Sequence, residues 1–198
     1  MWDERYRTPD YIFGDQPCQW LIMNQHRFQQ SGQALALGDG EGRNGVFLAE
    51  LGLQVTSVDL SEVGLSKARD LATKRGVSIQ TVHADLEYYE IDPESQDLII
   101  SIYCHLPCAI RKLVHKRVEV ALKPGGLLIL EAFHHSQLKY QSGGPKTTDL
   151  LYDLDALLDD FQRLQILEAF HGLCYLDEGA RHTGVGHIVR LVLQKPKQ

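Results

Sequence analysis

Basic charge is what this sequence most lacks. Lys and Arg number 20 against 26 Asp and Glu, for a net charge of -6, and no basic stripe marks any segment. Chains that hold nucleic acid usually gather positive charge on one face, so neither nucleic acid nor an anionic membrane is an expected partner. No apolar run approaches the roughly 18 residues of a spanning helix. The longest, Leu98–Cys104 and Leu127–Ala132, have the length of buried strands. The start, Met1-Trp2-Asp3-Glu4-Arg5, is charged and has no apolar signal core. Cys18, Cys104, Cys108 and Cys174 follow neither a disulfide nor a zinc spacing. Reduced thiols in a cytoplasmic protein without a metal site are therefore expected, with Cys104 and Cys108 as buried packing. Repeats, low-complexity tracts and an interdomain linker are missing as well. A chain of 198 residues, 43% of them hydrophobic, fits a single domain.

What is present is organised around Leu35-Ala36-Leu37-Gly38-Asp39-Gly40-Glu41-Gly42-Arg43-Asn44-Gly45, with the apolar-periodic Val46–Leu51 directly behind it. This is a strand, a tight glycine turn and a helix, and such a turn lets a ligand approach the main chain. Further strands are expected at Gln54–Leu60, Ser78–Ala84, Asp97–Tyr103 and Leu127–Phe133. Two more, Leu164–His171 and His187–Gln194, are expected on either side of a loose polar arm. Helices are expected at Cys18–Phe28, after a Ser61 cap, at Asp153–Phe161, and from Pro107. The Pro107 helix carries Ile110, Leu113, Val114, Val118 and Leu122 on one side and ends at Lys123-Pro124-Gly125-Gly126. Residues 134–150 read as a long polar loop; Tyr140, Tyr152 just beyond it and Gly143-Gly144 are candidates to close over a substrate, with surface tyrosines as the commoner reading. Alternating strands and helices imply a doubly wound α/β sheet, which binds ligands past the carboxyl ends of its strands. Those ends are Gly38–Asn44, Asp59–Ser61, Asp85-Leu86, Cys104-His105 and His134-His135.

Gly40 to Gly45 literally matches the dinucleotide fingerprint G-x-G-x-x-G, which keeps an NAD(P)-binding oxidoreductase as an alternative. In that fingerprint, however, the first glycine follows the strand directly. Here Gly38 does so, and the spacing from it is G-x-G-x-G. Asp59 ends the second strand about 20 residues on, where a carboxylate accepts from ribose hydroxyls.

Five ordered motifs then carry a resemblance over roughly residues 33–133. They are the glycine turn, Val58-Asp59-Leu60-Ser61, His83-Ala84-Asp85-Leu86, Asp97-Leu98-Ile99-Ile100-Ser101 and Leu122-Lys123-Pro124-Gly125-Gly126. The chain resembles class I S-adenosylmethionine-dependent methyltransferases, in the small bacterial branch similar to tellurite-resistance methyltransferases. The resemblance implies a Rossmann-like, mostly parallel seven-stranded sheet with an antiparallel last strand and helices on both faces. It also implies S-adenosylmethionine as cofactor and S-adenosylhomocysteine as product. Gly38, Asp39, Gly40 and Gly42 would pass beside the methionine part. Asp59 would hold the ribose, with Leu60 on the adenine, Asp85 at the adenine amino group beside Leu86, and Ser101 and Ile102 along the wall. Residues 1–30 would be a helical or lid segment whose Trp2, Tyr6, Tyr11 and Phe13 cover the cofactor or pack on the sheet edge. Residues 134–198 would form the substrate-side loop, helix and terminal hairpin. One departure stands out: Ala36 occupies a position often acidic in the family. That leaves the cofactor's amino group to Asp39, Glu41 or the N-terminal segment. A non-catalytic cofactor-binding regulator is a further alternative on this ground.

Methyl transfer from such a cofactor needs alignment more than activation. The rim candidates are His105, His134, His135, Glu131 and Tyr103, with His105 and His134 chosen as catalytic. The acceptor is expected to be a small molecule, with a thiol or chalcogen oxyanion suggested by the subgroup.

Overall fold

The computed structural model describes residues 2–29, 31–179 and 181–197. Two short helices, α1 (Trp2–Tyr6) and α2 (Gln19–Asn24), precede β1 (Gln33–Leu37), α3 (Arg43–Glu50), β2 (Gln54–Asp59) and α4 (Glu62–Arg75). There follow β3 (Gln80–His83), β4 (Gln96–Ile102), α5 (Cys108–Ala121), β5 (Leu122–Phe133), α6 (Leu154–Asp160), β6 (Gln165–Asp177) and β7 (Thr183–Gln194). One seven-stranded sheet has the order β3-β2-β1-β4-β5-β7-β6. The pairings among β1 to β5 are parallel, and β7 is antiparallel to both of its neighbours. The doubly wound, mostly parallel sheet is as expected. Strand order reverses between β1 and β4, which opens the crevice at their carboxyl ends.

β1 and β4 are apolar at almost every position because both faces of the sheet are covered. Leu35, Leu37 and Ile99 pack toward Val114, Val118, Leu157 and Phe161 of α5 and α6. Ala34, Ala36, Leu98 and Ile100 pack toward Trp20, Leu21 and Leu48 of α2 and α3. α4 begins as the sequence implies, with Ser61 Oγ accepting from Gly64 N at 3.1 Å.

Three local expectations are corrected. The helix from Pro107 turns Leu113 outward, and Leu122 already belongs to β5. β5 takes in the Lys123–Gly126 segment through a register shift opposite Gln96 and Leu98, so that segment lies inside the strand. The loose polar arm is not loose: pairing continues from Gly172 opposite Ile188 to Asp177 opposite Thr183. Leu173 and Tyr175 are exposed there while Cys174 and Leu176 turn inward, so apolar residues on both faces hide the alternation from a pattern search.

Candidate active site

β1 delivers the chain into a turn with Gly38 and Gly40 at φ 61° and 57°, a backbone region open to glycine. A Cβ on Gly38 would stand 2.8 Å from Cys104 Sγ, and one on Gly40 2.5 Å from the Tyr6 hydroxyl. The turn is therefore held between the segment after β4 and helix α1. Asp59 is buried at the end of β2, its Oδ2 accepting from Gly40 N and its Oδ1 from Ser61 N, both at 2.8 Å. Each oxygen keeps acceptor capacity for a hydroxyl donor.

The carboxylates within the turn face away from it. Asp39 braces the turn from behind, accepting from Gly45 N at 3.2 Å and from Ser57 Oγ at 2.6 Å. Burial pushes its carboxyl up to about 6. Glu41 accepts from Ile12 N at 2.8 Å and pairs with Lys67. Both stand-ins for the acid missing at Ala36 are thus committed, which leaves the N-terminal segment. Asp85 is exposed and accepts from Glu87 N at 2.9 Å, while Leu86 is buried against the α5 side. Ser101 and Ile102 are buried at the end of β4. Leu60 is 54% exposed, an open apolar face beside Asp59. A close-approach glycine turn, a carboxylate with spare acceptor capacity and an apolar platform together fit a nucleoside-bearing ligand.

The N-terminal segment packs over this turn and not on a sheet edge. Asp3 accepts from Ser61 Oγ, and Tyr11 donates to Lys67 O at 3.0 Å. Phe13 meets the His182 ring at 4.7 Å.

Beyond β4 the chain passes Tyr103 at φ 53°, a strained backbone for an aromatic residue and the kind of feature that gathers at functional sites. Its ring meets Phe133 at 5.0 Å and His182 at 4.3 Å. Among the described residues the Tyr103 hydroxyl, which has the Glu131 carboxylate in its neighbourhood, and His182 Nδ1 are buried and meet no partner within hydrogen-bond distance. Burial, reinforced by Arg43 and His105, pulls His182 down to about 3, and burial raises Tyr103 well above the usual phenol range. Phe13, Tyr103 and Phe133 therefore pack directly around the His182 ring, with centroids 4.3–5.2 Å from it, as a closed aromatic box that holds two polar atoms. Of these four, Phe133 entered the sequence reading only as the end of a strand, and His182 not at all. Its one signal was a histidine within the supposed polar arm.

Of the two catalytic candidates, His105 stacks on Phe133 at 5.8 Å but has both ring nitrogens engaged, and His134 lies apart. His105 Nδ1 donates to Leu150 O at 2.7 Å, and its Nε2 accepts from Phe133 N at 3.4 Å. Burial pulls its imidazole down to about 4, so it is neutral and latched at physiological pH. His134 Nδ1 accepts from Ser136 N at 3.1 Å, and its Nε2 lies 3.6 Å from Asp153 Oδ2. Burial and the neighbouring His187 and His171 lower its pKa. His135 is exposed. Tyr152, expected at the surface, is fully buried because its hydroxyl has two partners: it donates to Cys104 O and accepts from Leu106 N, each at 2.8 Å. Cys104 is buried as expected, but Cys108 at the start of α5 is exposed.

Two buried ion pairs flank the box. Glu131 is bound by Arg190 and accepts from Cys18 Sγ at 3.3 Å. Arg43 at the start of α3 reaches Glu178 at the tip of the β6–β7 hairpin, at 2.7 Å. Glu178 also accepts from Gln19 N at 3.1 Å. The hairpin tip is thereby tied to both the glycine-turn helix and the N-terminal segment.

Residues 34–126 match the model of a methyltransferase domain. No curated protein matches the chain. Among solved structures, a protein in the conversion of a disulfide bond into a thioacetal group during echinomycin biosynthesis has TM-score 0.78 and 20% identity, covering 98% of this chain and 90% of its own. TehB from Haemophilus influenzae has TM-score 0.73 and 19% identity, with 98% of this chain and 65% of that one covered. N-methyltransferase NodS from Bradyrhizobium japonicum WM9, in complex with S-adenosyl-L-homocysteine, has TM-score 0.72 and 14% identity over 99% and 97%. At such identities the likeness is one of fold.

Proposed function

We propose that this chain is an S-adenosylmethionine-dependent methyltransferase, and that it transfers methyl to a small-molecule acceptor whose nucleophile is already reactive near neutral pH, a thiol or a chalcogen oxyanion. The cofactor is S-adenosylmethionine and the spent product S-adenosylhomocysteine. When bound, it supplies a methyl group on sulfonium sulfur, activated for direct displacement. In this reading Asp59 takes the ribose hydroxyls, Leu60 and Leu86 border the adenine, and Asp85 meets its amino group. The Gly38–Gly42 turn carries the methionine part past Ser101 and Ile102.

What supports the acceptor class is the setting of the histidines, His105 with both ring nitrogens engaged and His182 packed among aromatic rings. His105 and His182 are held down to about 4 and about 3 by burial, too low to retain a proton taken from an alcohol or ammonium nucleophile at pH 7. Such groups orient and exclude water. Tyr103 and His182 offer hydrogen bonds to the acceptor, and the ring faces of Phe13 and Phe133 cover it. Two fold relatives point the same way by their own chemistry, the disulfide-to-thioacetal protein and TehB, a tellurite-resistance methyltransferase. The reading places the protein in the cytoplasm, with neither nucleic acid nor membrane as partner. Among the described residues no helix is long and apolar enough to cross a membrane.

The test is a panel of acceptors with labelled S-adenosylmethionine: small thiols, selenite and tellurite, primary amines, catechols and a short duplex. Transfer to thiols or chalcogen oxyanions is expected. Turnover confined to amines, hydroxyls or nucleic acid rejects the acceptor class.

A further inference from the structure

Three histidines far apart in the chain meet on one face of the sheet. His134 follows β5, His171 lies on β6 and His187 on β7. Register explains the meeting. Ala132 and His171 both pair with Val189, and cross-strand partners share a face. Moving two residues from Ala132 to His134 and from Val189 to His187 keeps that face. Each histidine offers a ring nitrogen, and these atoms all lie within 4.8 Å of one another. The rings of His134 and His187 are 4.4 Å apart, and those of His134 and His171 5.2 Å. His171 Nδ1 stands 3.4 Å from His187 Nε2. In a tetrahedral zinc site with Zn–N bonds of about 2.0–2.1 Å, neighbouring ligand nitrogens are about 3.3–3.4 Å apart, so one edge of the required triangle already exists.

We propose that His134, His171 and His187 form a binding site for a late first-row divalent transition metal ion, of which Zn²⁺ is the natural probe. The ligand type fits: three imidazoles favour Zn²⁺, Ni²⁺, Co²⁺ or Cu²⁺ over the hard, oxygen-seeking Ca²⁺ and Mg²⁺. A carboxylate stands at the rim, with Asp153 Oδ2 3.6 Å from His134 Nε2, while Asp153 Oδ1 caps α6 by accepting from Asp155 N and Ala156 N. That places the negative oxygen as fourth ligand or as the group that orients His134. Ligation asks for a ring adjustment. His171 and His187 lie nearly parallel, at 6°, and in-plane lone pairs converge only if the rings turn. His171 is exposed and His187 half-buried, which leaves both room. The bound ion would clip the end of β5 to both strands of the hairpin whose tip carries Glu178 and His182. Cys104 and Cys108 play no part, and the site owes nothing to the acceptor proposed above.

The experiment uses the untagged full chain, since a polyhistidine tag would bind the same ions. Zn²⁺ is titrated by calorimetry, and Co²⁺ by visible absorption. One equivalent should bind, with a tetrahedral Co²⁺ spectrum free of thiolate charge transfer and a higher melting temperature. His171→Ala and His187→Ala should each weaken binding at least about tenfold, the loss typical when a metal's supporting residues are removed. His135→Ala, next to the cluster and outside it, should bind as wild type. Absence of saturable binding, unchanged affinity in both cluster variants, or a thiolate band abolished by Cys108→Ser would each overturn the proposal. Circular dichroism on the metal-free variants separates a lost ligand from a lost fold, and only variants that keep the wild-type spectrum are scored.

Discussion

Replacing Glu178 with Gln tests whether the hairpin tip is held by its buried charge. The Arg43 and Glu178 side chains are 8% and 7% exposed and meet at 2.7 Å. Glu178→Gln preserves shape and leaves an oxygen for Gln19 N, but strips Arg43 of its counter-charge. The other contact of Arg43 is a 3.5 Å approach to Gln16 O, too long to hold a guanidinium by itself. Removing one partner of a buried pair costs about 3–5 kcal/mol. Because the amide retains one hydrogen bond, the lower end, about 3 kcal/mol, is expected. With a urea slope of about 2 kcal/mol per molar, the unfolding midpoint should fall by about 1.5 M. The double variant Arg43→Met with Glu178→Leu should recover most of this loss, since well-packed apolar replacements of buried pairs are often neutral. Unfolding is followed by circular dichroism in urea without cofactor. A Glu178→Gln midpoint corresponding to less than about 0.5 kcal/mol, the ordinary range for surface changes, would refute the clamp.

Asp59→Ala should weaken S-adenosylmethionine binding by about tenfold or more, through lost charge-assisted bonds of about 1.5–3 kcal/mol. Calorimetry giving wild-type affinity would remove Asp59 from the site. Tyr103→Phe deletes a buried hydroxyl that meets no partner within hydrogen-bond distance among the described residues, so it should leave urea stability unchanged or raise it by about 1 kcal/mol while raising KM for the acceptor; lowered stability with intact KM reverses the assignment. His105→Asn keeps a donor toward Leu150 O and is expected to cost about 1 kcal/mol of stability with kcat nearly preserved, whereas a fall of about a hundredfold would restore it as a base. For pH, the folded values of His105 and His182 sit below the ordinary 6.5, at about 4 and about 3. Their contribution is therefore full above pH 6.5 and lost as the unfolded chain takes up protons in acid, by about 2.6 kcal/mol each at pH 4.5. Asp39, raised to about 6, acts with the opposite sign between pH 3.8 and 6, so the acid loss should be steeper in Asp39→Asn; equal urea midpoints for that variant at pH 7 and 4.5 would contradict both histidine shifts.

The central sheet was legible because its signals are local. β1 and β4 are continuous apolar runs, the glycines follow β1 directly, and Asp59 and Ser61 end β2 and cap α4 as their types dictate. The edges were less legible, since β3 is short and half-buried and the outer half of the hairpin carries apolar residues on both its inner and its exposed face. Leu173 and Tyr175 show why: they are apolar, exposed and paired through the backbone. Glycine-turn chemistry was readable as a class but not residue by residue. Nothing in Gly38-Asp39-Gly40-Glu41 says that both carboxylates turn away from the cleft, because their partners, Ser57 and Lys67, come from elements that the topology brings in later. His182 and Glu178 were invisible for the same reason. They matter only once the hairpin folds back onto residues 13 to 19 and Arg43.

The enclosing elements also bear on what kind of acceptor is selected. Two buried carboxylates, Glu131 and Glu178, face two guanidiniums, Arg190 and Arg43, so the walls carry charge in balanced pairs. Balanced walls give little long-range steering to an ion of either sign. What remains to discriminate is shape, the ring faces of Phe13, Tyr103 and Phe133, and two polar atoms that can each take one hydrogen bond. A large, polarisable, weakly hydrated nucleophile loses little on entering such a box, whereas an ammonium or a hard oxyanion gives up strong hydration for few contacts. The soft acceptor proposed above and the lowered pKa values of His105 and His182 would then both follow from the same burial.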